Sequence, residues 1–95
     1  MKGTAPTFAL RTREALGDGN FSEALKSIEF AIELEPDTAE YHALRGNVLQ
    51  VLLRWPEAAT AYLRSLELGK IEGATENLKL TRELIAMVGL SGEAN

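Results

Sequence analysis

Two stretches decide the fold: Phe21-Ser22-Glu23-Ala24-Leu25-Lys26-Ser27-Ile28-Glu29-Phe30-Ala31-Ile32-Glu33-Leu34, and Trp55-Pro56-Glu57-Ala58-Ala59-Thr60-Ala61-Tyr62-Leu63-Arg64-Ser65-Leu66-Glu67-Leu68. In the first, Phe21, Ala24, Leu25, Ile28, Ala31, Ile32 and Leu34 recur at spacings of three and four, which a helix gathers onto one face. Such a stripe needs a neighbour to cover it. Asn20 stands before it as an N-cap with Glu23 three places on, and Pro36 stops the helix beyond Leu34. In the second stretch Pro56 suits the first helical position, and Gly69 stands where a left-handed C-cap would end the helix.

The two stretches lie 34 residues apart, and the match extends outward from them. At that offset Ala5 meets Ala39, Ala9-Leu10-Arg11 meets Ala43-Leu44-Arg45, Glu23-Ala24 meets Glu57-Ala58, and Glu33-Leu34 meets Glu67-Leu68. Other pairs keep chemical type: Phe21 with Trp55, Ile28 with Tyr62, Ala31 with Ser65, Ile32 with Leu66. Each unit therefore reads as two antiparallel helices joined by a tight turn, at about Thr7 to Gly17 and Phe21 to Glu35, then Ala39 to Leu53 and Pro56 to Leu68.

These positions resemble the tetratricopeptide repeat. Ala24 and Ala58 match its small residue near the start of the second helix, and Gly46 the small residue of the first helix that lies against the crossing. Ile28 and Tyr62 match its large packing residue, Ala31 and Ser65 its later small position, and Pro36 its closing proline. The chain departs from the pattern at Thr12, which stands where Gly46 stands, at Ala15, in a place usually given to a large aromatic, and at Lys70, which replaces the closing proline. The resemblance implies an all-α superhelix of about five antiparallel helices. Its expected parts are a disordered tail over 1–4, a first repeat over 5–38, a second over 39–70, a capping helix over 71–89 and a disordered tail over 90–95.

Past Lys70 the 34-residue register would aim Glu76, Lys79 and Glu83 at the core, so the register slips there. The stripe that makes physical sense is Ile71, Ala74, Leu78, Ile85 and Val88, with Thr81 filling the gap, on a helix from about Glu72 to Val88 ended by Gly89. A repeat array needs such a helix to cover its last apolar side. Leu80, Leu84 and Met87 widen its apolar arc beyond what one neighbour covers, which marks them as an assembly surface.

Composition excludes several classes of function. The chain has 95 residues, 45% of them hydrophobic, enough for one domain with a modest core. Its net charge of −4 lacks the positive excess that nucleic acid or an anionic membrane would select. It has no cysteine, no apolar run of membrane-spanning length and no apolar leader in Met1-Lys2-Gly3-Thr4-Ala5-Pro6, so a cytoplasmic setting is expected.

No constellation for catalysis, cofactor or metal emerges. His42 is the single histidine and reads as a packing or rim residue at the place of Phe8. Gly17-Asp18-Gly19 joins two helices without the preceding strand or following lysine of a phosphate loop, and Phe21 and Trp55 read as anchors of their turns. An enzyme is not expected.

The family resemblance implies instead that the first helices of successive repeats line a concave surface where partner segments lie. Here that lining would be Ala9, Leu10, Arg13, Leu16, Glu40, Ala43, Leu44, Asn47, Gln50 and Val51, with Arg13, Asn47 and Gln50 orienting a peptide or helix by hydrogen bonds. The alternative is that these residues merely pack on neighbouring helices. Asn47 fits the clamp with which one subclass grips chaperone C-termini, but Ala9 and Arg13 stand where lysine and asparagine belong, which disfavours that clamp. The expected role is a scaffold for a protein or peptide partner. The alternative role is a structural module, either self-associating as a homodimer through the C-terminal helix or serving as the regulatory segment of a larger signalling protein.

Overall fold

A computed structural model describes residues 3–93, and among these residues the chain is entirely helix and connection, with no strand. The helices are α1 (Ala5–Gly17), α2 (Phe21–Leu34), α3 (Ala39–Val51), α4 (Trp55–Leu68) and α5 (Ala74–Glu93). Each packs chiefly on its neighbours in sequence, α1 on α2, α2 on α3, α3 on α4 and α4 on α5. The molecule is correspondingly elongated, 51 × 27 × 19 Å. No described helix is long and apolar enough to cross a membrane.

The two hairpins are built alike. α1 starts at Thr4, whose hydroxyl accepts from the Thr7 N–H at 3.3 Å, with Pro6 in the first turn where no N–H is needed. Its end is closed by Asn20 N donating to Ala15 O at 2.8 Å, and 34 residues later Arg54 N donates to Leu49 O at 2.9 Å. The residue before each donor adopts the left-handed conformation: Gly19 with φ 75° and Leu53 with φ 62°. Glycine adopts it freely, whereas a leucine Cβ crowds the following carbonyl. Leu53 is also 71% exposed, so packing does not offset that cost.

The caps differ in part from the sequence reading. Asn20 stands at the N-cap of α2 but makes no side-chain cap bond there. At α4 the cap position falls to Arg54, which donates from Nε (2.8 Å) and Nη2 (2.7 Å) to the two oxygens of Glu57 and holds that carboxyl below its usual range. Helix α4 begins at Trp55, placing Pro56 in its first turn. Gly69 is not left-handed: its φ of 179° is extended backbone, as is that of Glu35 at −138° after α2. What favours glycine there is proximity, since a Cβ on Gly69 would stand 3.3 Å from the Ala39 Cβ.

The interior is a chain of small clusters. Ala5, Ala9, Ile28, Ala31, Tyr41 and Leu44 form the first, Ala15, Ala24 and Val48 the one between the hairpins, and Leu49, Ala58, Ala61, Tyr62 and Leu78 the last. Ala24 and Ala58 are both completely buried. Within the second hairpin Gly46 lies directly under the Tyr62 ring, where a Cβ would come within 2.7 Å of Cε1. The first hairpin meets the same packing requirement with a different division of volume: Thr12 replaces the glycine and Ile28 the tyrosine, and both are fully buried. Thr12 satisfies its hydroxyl by donating to the Phe8 carbonyl at 2.9 Å, so the departure from the pattern leaves α1 intact.

Helix α5 follows a five-residue connection, Gly69–Gly73, against four residues, Glu35–Thr38, between α2 and α3. Ala74, Leu78 and Thr81 are buried, and Ile71 and Ile85 half-buried. Val88 departs from the expected stripe at 57% exposed, and Gly89 does not end the helix, which continues to Glu93. Length explains both. At about 1.5 Å per residue the 20 residues of α5 outrun the 14 of α4, so the last turns have nothing beneath them. Of the two expected tails, Gly3 and Thr4 lead into α1 and 90–93 belong to α5, while Met1, Lys2, Ala94 and Asn95 lie outside the described residues.

Gly46→Ala should lower stability by about 1–3 kcal/mol in urea denaturation, because overpacking against the Tyr62 ring outweighs the ~1 kcal/mol helix-propensity gain. Gly17→Ala, with nothing within 4 Å of the added Cβ, is the matched control and should be neutral or stabilising. Leu53→Gly should stabilise by about 0.5–1 kcal/mol, the relief of left-handed strain exceeding the added chain entropy of glycine.

Candidate functional site

Helix α3 reaches the surface between α1 on one side and α5 on the other, and it shapes two adjoining hollows. The first, about 380 Å³, is lined by Arg13 of α1, by Glu40, Ala43, Leu44 and Asn47 of α3, and by Lys70, Ile71 and Glu72 of the connection into α5. Its floor is aliphatic and its rim carries both signs of charge. The second, about 390 Å³, is lined by Asn47, Gln50 and Val51 of α3, Tyr62 of α4 and Asn77 of α5. Asn47 belongs to both, so the two hollows adjoin along α3, and together they are the depression beside that helix.

The residues expected to line a partner surface do not all reach it. Ala9 does not line it: it is 2% exposed and belongs to the first core cluster, because α2 and α3 close over that side of α1. Ala43 and Leu44 are each 7% exposed, so they form the floor of the hollow and offer little area, and Leu16 is half-buried against Val48. Arg13, Glu40, Asn47 and Val51 are exposed around the depression, whereas Leu10 is exposed but lines neither hollow. Gln50 is half-buried.

Asn47 and Gln50 also have an internal task that the sequence reading did not assign them. Tyr62 Oη lies 2.6 Å from Asn47 Oδ1 and 2.9 Å from Gln50 Oε1. Asn77 Nδ2 donates to Asn47 Oδ1 at 3.4 Å, and Thr81 Oγ1 lies 3.3 Å from Gln50 Oε1 while donating to the Asn77 carbonyl at 2.7 Å. A hydroxyl has a single proton. Tyr62 spends its proton on Asn47 and Thr81 on the Asn77 carbonyl, so the set is complete when the Gln50 amide is turned by half a rotation and donates to both hydroxyl oxygens. This network ties α3, α4 and α5 together at the base of the second hollow, and it leaves one edge of each amide open to a ligand.

The signal for it was present in the sequence as spacing: Asn47 and Gln50 are one turn apart on α3, and Asn77 and Thr81 one turn apart on α5. Lys70, Ile71 and Glu72 had no such signal, because only the path of the connection brings them to Arg13.

A third hollow, about 330 Å³, opens between α2 and α3 and is lined by Glu29, Ile32, Glu33, His42 and Arg45. Arg45 is held there by Glu29 at 3.3 Å. His42 Nε2 lies 2.7 Å from the Pro36 carbonyl, so that nitrogen carries the proton and pins the α2–α3 corner. Among the described residues no group of three or more His, Cys, Asp or Glu side chains could hold a metal ion.

No protein-family model matches the sequence, and no curated protein matches it either.

Burial pushes the Tyr62 phenol up to about 12, and burial first, then Glu35 and Glu40, raises Tyr41 as well, with Arg13 opposing. Each folded-state value lies above the unfolded one, so the associated stability is whole below pH 10 and is lost as pH climbs. For Tyr62 the window is pH 10 to about 12. Denaturation across it should show a loss of roughly 2–3 kcal/mol, and Tyr62→Phe should remove most of that dependence while costing roughly 1–2 kcal/mol at neutral pH.

Proposed function

We propose that the chain is an interaction module of tetratricopeptide type that holds a peptide or helical segment of a partner protein in the depression along α3. The 34-residue repetition supports the family reading: turns closed by equivalent hydrogen bonds, Ala24 and Ala58 fully buried, and Gly46 with Tyr62 matched in place by Thr12 with Ile28. The observation that carries the binding role is the depression itself. Its floor of Ala43 and Leu44 is flanked by Arg13, Glu40, Lys70 and Glu72, charges that take part in no ion pair among the described residues.

Such a surface suits a ligand with a small apolar anchor and polar flanks. The apolar floor excludes water from the anchor, and the mixed rim fixes direction and register more than it adds affinity. Arg13 and Lys70 approach from different elements, so a carboxylate or main-chain carbonyl set between them would be gripped from both sides.

The test is a peptide-display selection on the immobilised full chain. Enriched peptides should bind about tenfold more weakly to Arg13→Glu and to Lys70→Glu, a loss near 1.4 kcal/mol each. Both residues are exposed, so circular dichroism should report unchanged folding. A selection that enriches nothing, or peptides indifferent to both substitutions, would remove the proposal.

A further inference from the structure

We propose that the exposed aliphatic row on α5 forms a second wall of the same binding face, and that the wall takes a cationic amphipathic helix of a partner protein. The inference rests on the reading of that face as partner-binding and commits it to one ligand chemistry.

The rotation of α5 is fixed by its hydrogen bonds. Asn77 reaches Asn47 and Thr81 meets Gln50, so this side of α5 turns toward α3, while Leu78 packs into the cluster with Ala58 and Tyr62. At about 100° per residue Leu80 lies about 60° past Asn77, on the side away from Leu78. Leu84 and Met87 continue from Leu80 at spacings of four and three, forming one row. Thr81, one residue after Leu80, meets Gln50, and Val51 is the next residue on α3, so the two helices carry exposed aliphatic side chains on either side of that contact. Val51 is 46% exposed, Leu80 45% and Met87 64%, and Leu84 is half-buried between them.

The spacing and the charges select the occupant. A row at i, i+4 and i+7 is the seam that a second helix fits, whereas an extended peptide offers side chains at a period of two. Glu76 and Glu83 each lie four residues before a member of the row, Leu80 and Met87, and so about 40° around the helix on the outer edge. Neither takes part in an ion pair among the described residues. A helix with an aliphatic stripe flanked by Lys or Arg meets both the row and its acidic edge, and the chain's net charge of −4 favours the encounter. A second copy fits less well, because an antiparallel α5 pair centred on the row would set the two Glu83 carboxylates side by side.

The experiment titrates the full chain, carbon-13 labelled at methyl groups, with a synthetic helix of about five turns bearing a leucine stripe and flanking lysines. The same peptide with glutamates for the lysines, and one with serines for the leucines, serve as comparisons. The lysine peptide should shift the Val51, Leu80, Leu84 and Met87 methyl signals and bind about tenfold more tightly than either comparison. Leu80→Gln and Glu83→Lys, both at exposed positions, should each weaken it about as much. No binding, equal binding of the glutamate peptide, or indifference to both substitutions would overturn the inference. Display-selected peptides that depend on Arg13 but not on Leu80 would overturn it while sparing the function proposed above. A wild-type dimer in sedimentation equilibrium that Leu80→Gln converts to monomer would assign the row to a second copy and overturn it as well.

Discussion

The contact on which the second half of the molecule depends is the one between Gly46 and the Tyr62 ring. Because no side chain projects from position 46, α4 can lie close enough to α3 for an aromatic ring to fill the crossing, with a hypothetical Cβ only 2.7 Å from the ring. Closeness has a chemical consequence as well as a steric one. It carries the Tyr62 hydroxyl to the far side of α3, where it meets Asn47 and Gln50. Those two amides then receive Asn77 and Thr81 of α5. One missing methyl group thus lies at the root of a polar network that fixes how the last helix is turned, and that rotation decides which of its side chains face the depression. Removing apolar area elsewhere would cost stability, whereas this position also couples the packing of one hairpin to the orientation of the next element.

Helix spacing made the all-α fold and most of its elements legible in advance. Period-three and period-four recurrence marked α2 and α5, and the 34-residue offset extended the reading to the paired helices of both units. What spacing could not show was how ends are resolved. Gly69 invited a left-handed reading, yet the same residue type also serves where another chain segment passes close by, and only the position of Ala39 distinguishes the two. Leu53 is the converse case. The sequence reading carries the third helix through Leu53, whereas α3 ends at Val51 and Leu53 takes a left-handed turn of which leucine gives no local hint. Gly89 misled for a related reason: an exposed overhang tolerates glycine without stopping, at a modest loss of helix propensity.

The depression along α3 was legible in outline and mistaken in detail. Arg13, Glu40, Asn47 and Val51, which the family resemblance implies for one surface, line the two hollows, but Ala9 is enclosed in a cluster with residues of α2 and α3, which the pattern of a single helix does not contain. The family resemblance implies that Asn47 and Gln50 orient a ligand. They are instead partly committed to holding α5, so a ligand that engages their open edges also touches the joint between the second hairpin and the last helix. On the function proposed above, a partner held by Asn47 or Gln50 would bear on the docking of α5, since both amides also bond Tyr62 and Gln50 meets Thr81.

The serial arrangement of the clusters has a bearing on how the molecule opens. Among the described residues each helix rests mainly on its neighbours in sequence, and α1 has no extensive packing on α5. Order in such an arrangement is lost as in a zip fastener, from the extremities inward, and one helix can let go without dismantling the rest. The overhanging end of α5 is the natural place for this to begin, and amide protons there should exchange with solvent well ahead of those around Val48, where the two hairpins meet. Short-range contacts also keep the entropic cost of each closing step small, so the chain can assemble quickly from local pieces without waiting for distant segments to find one another.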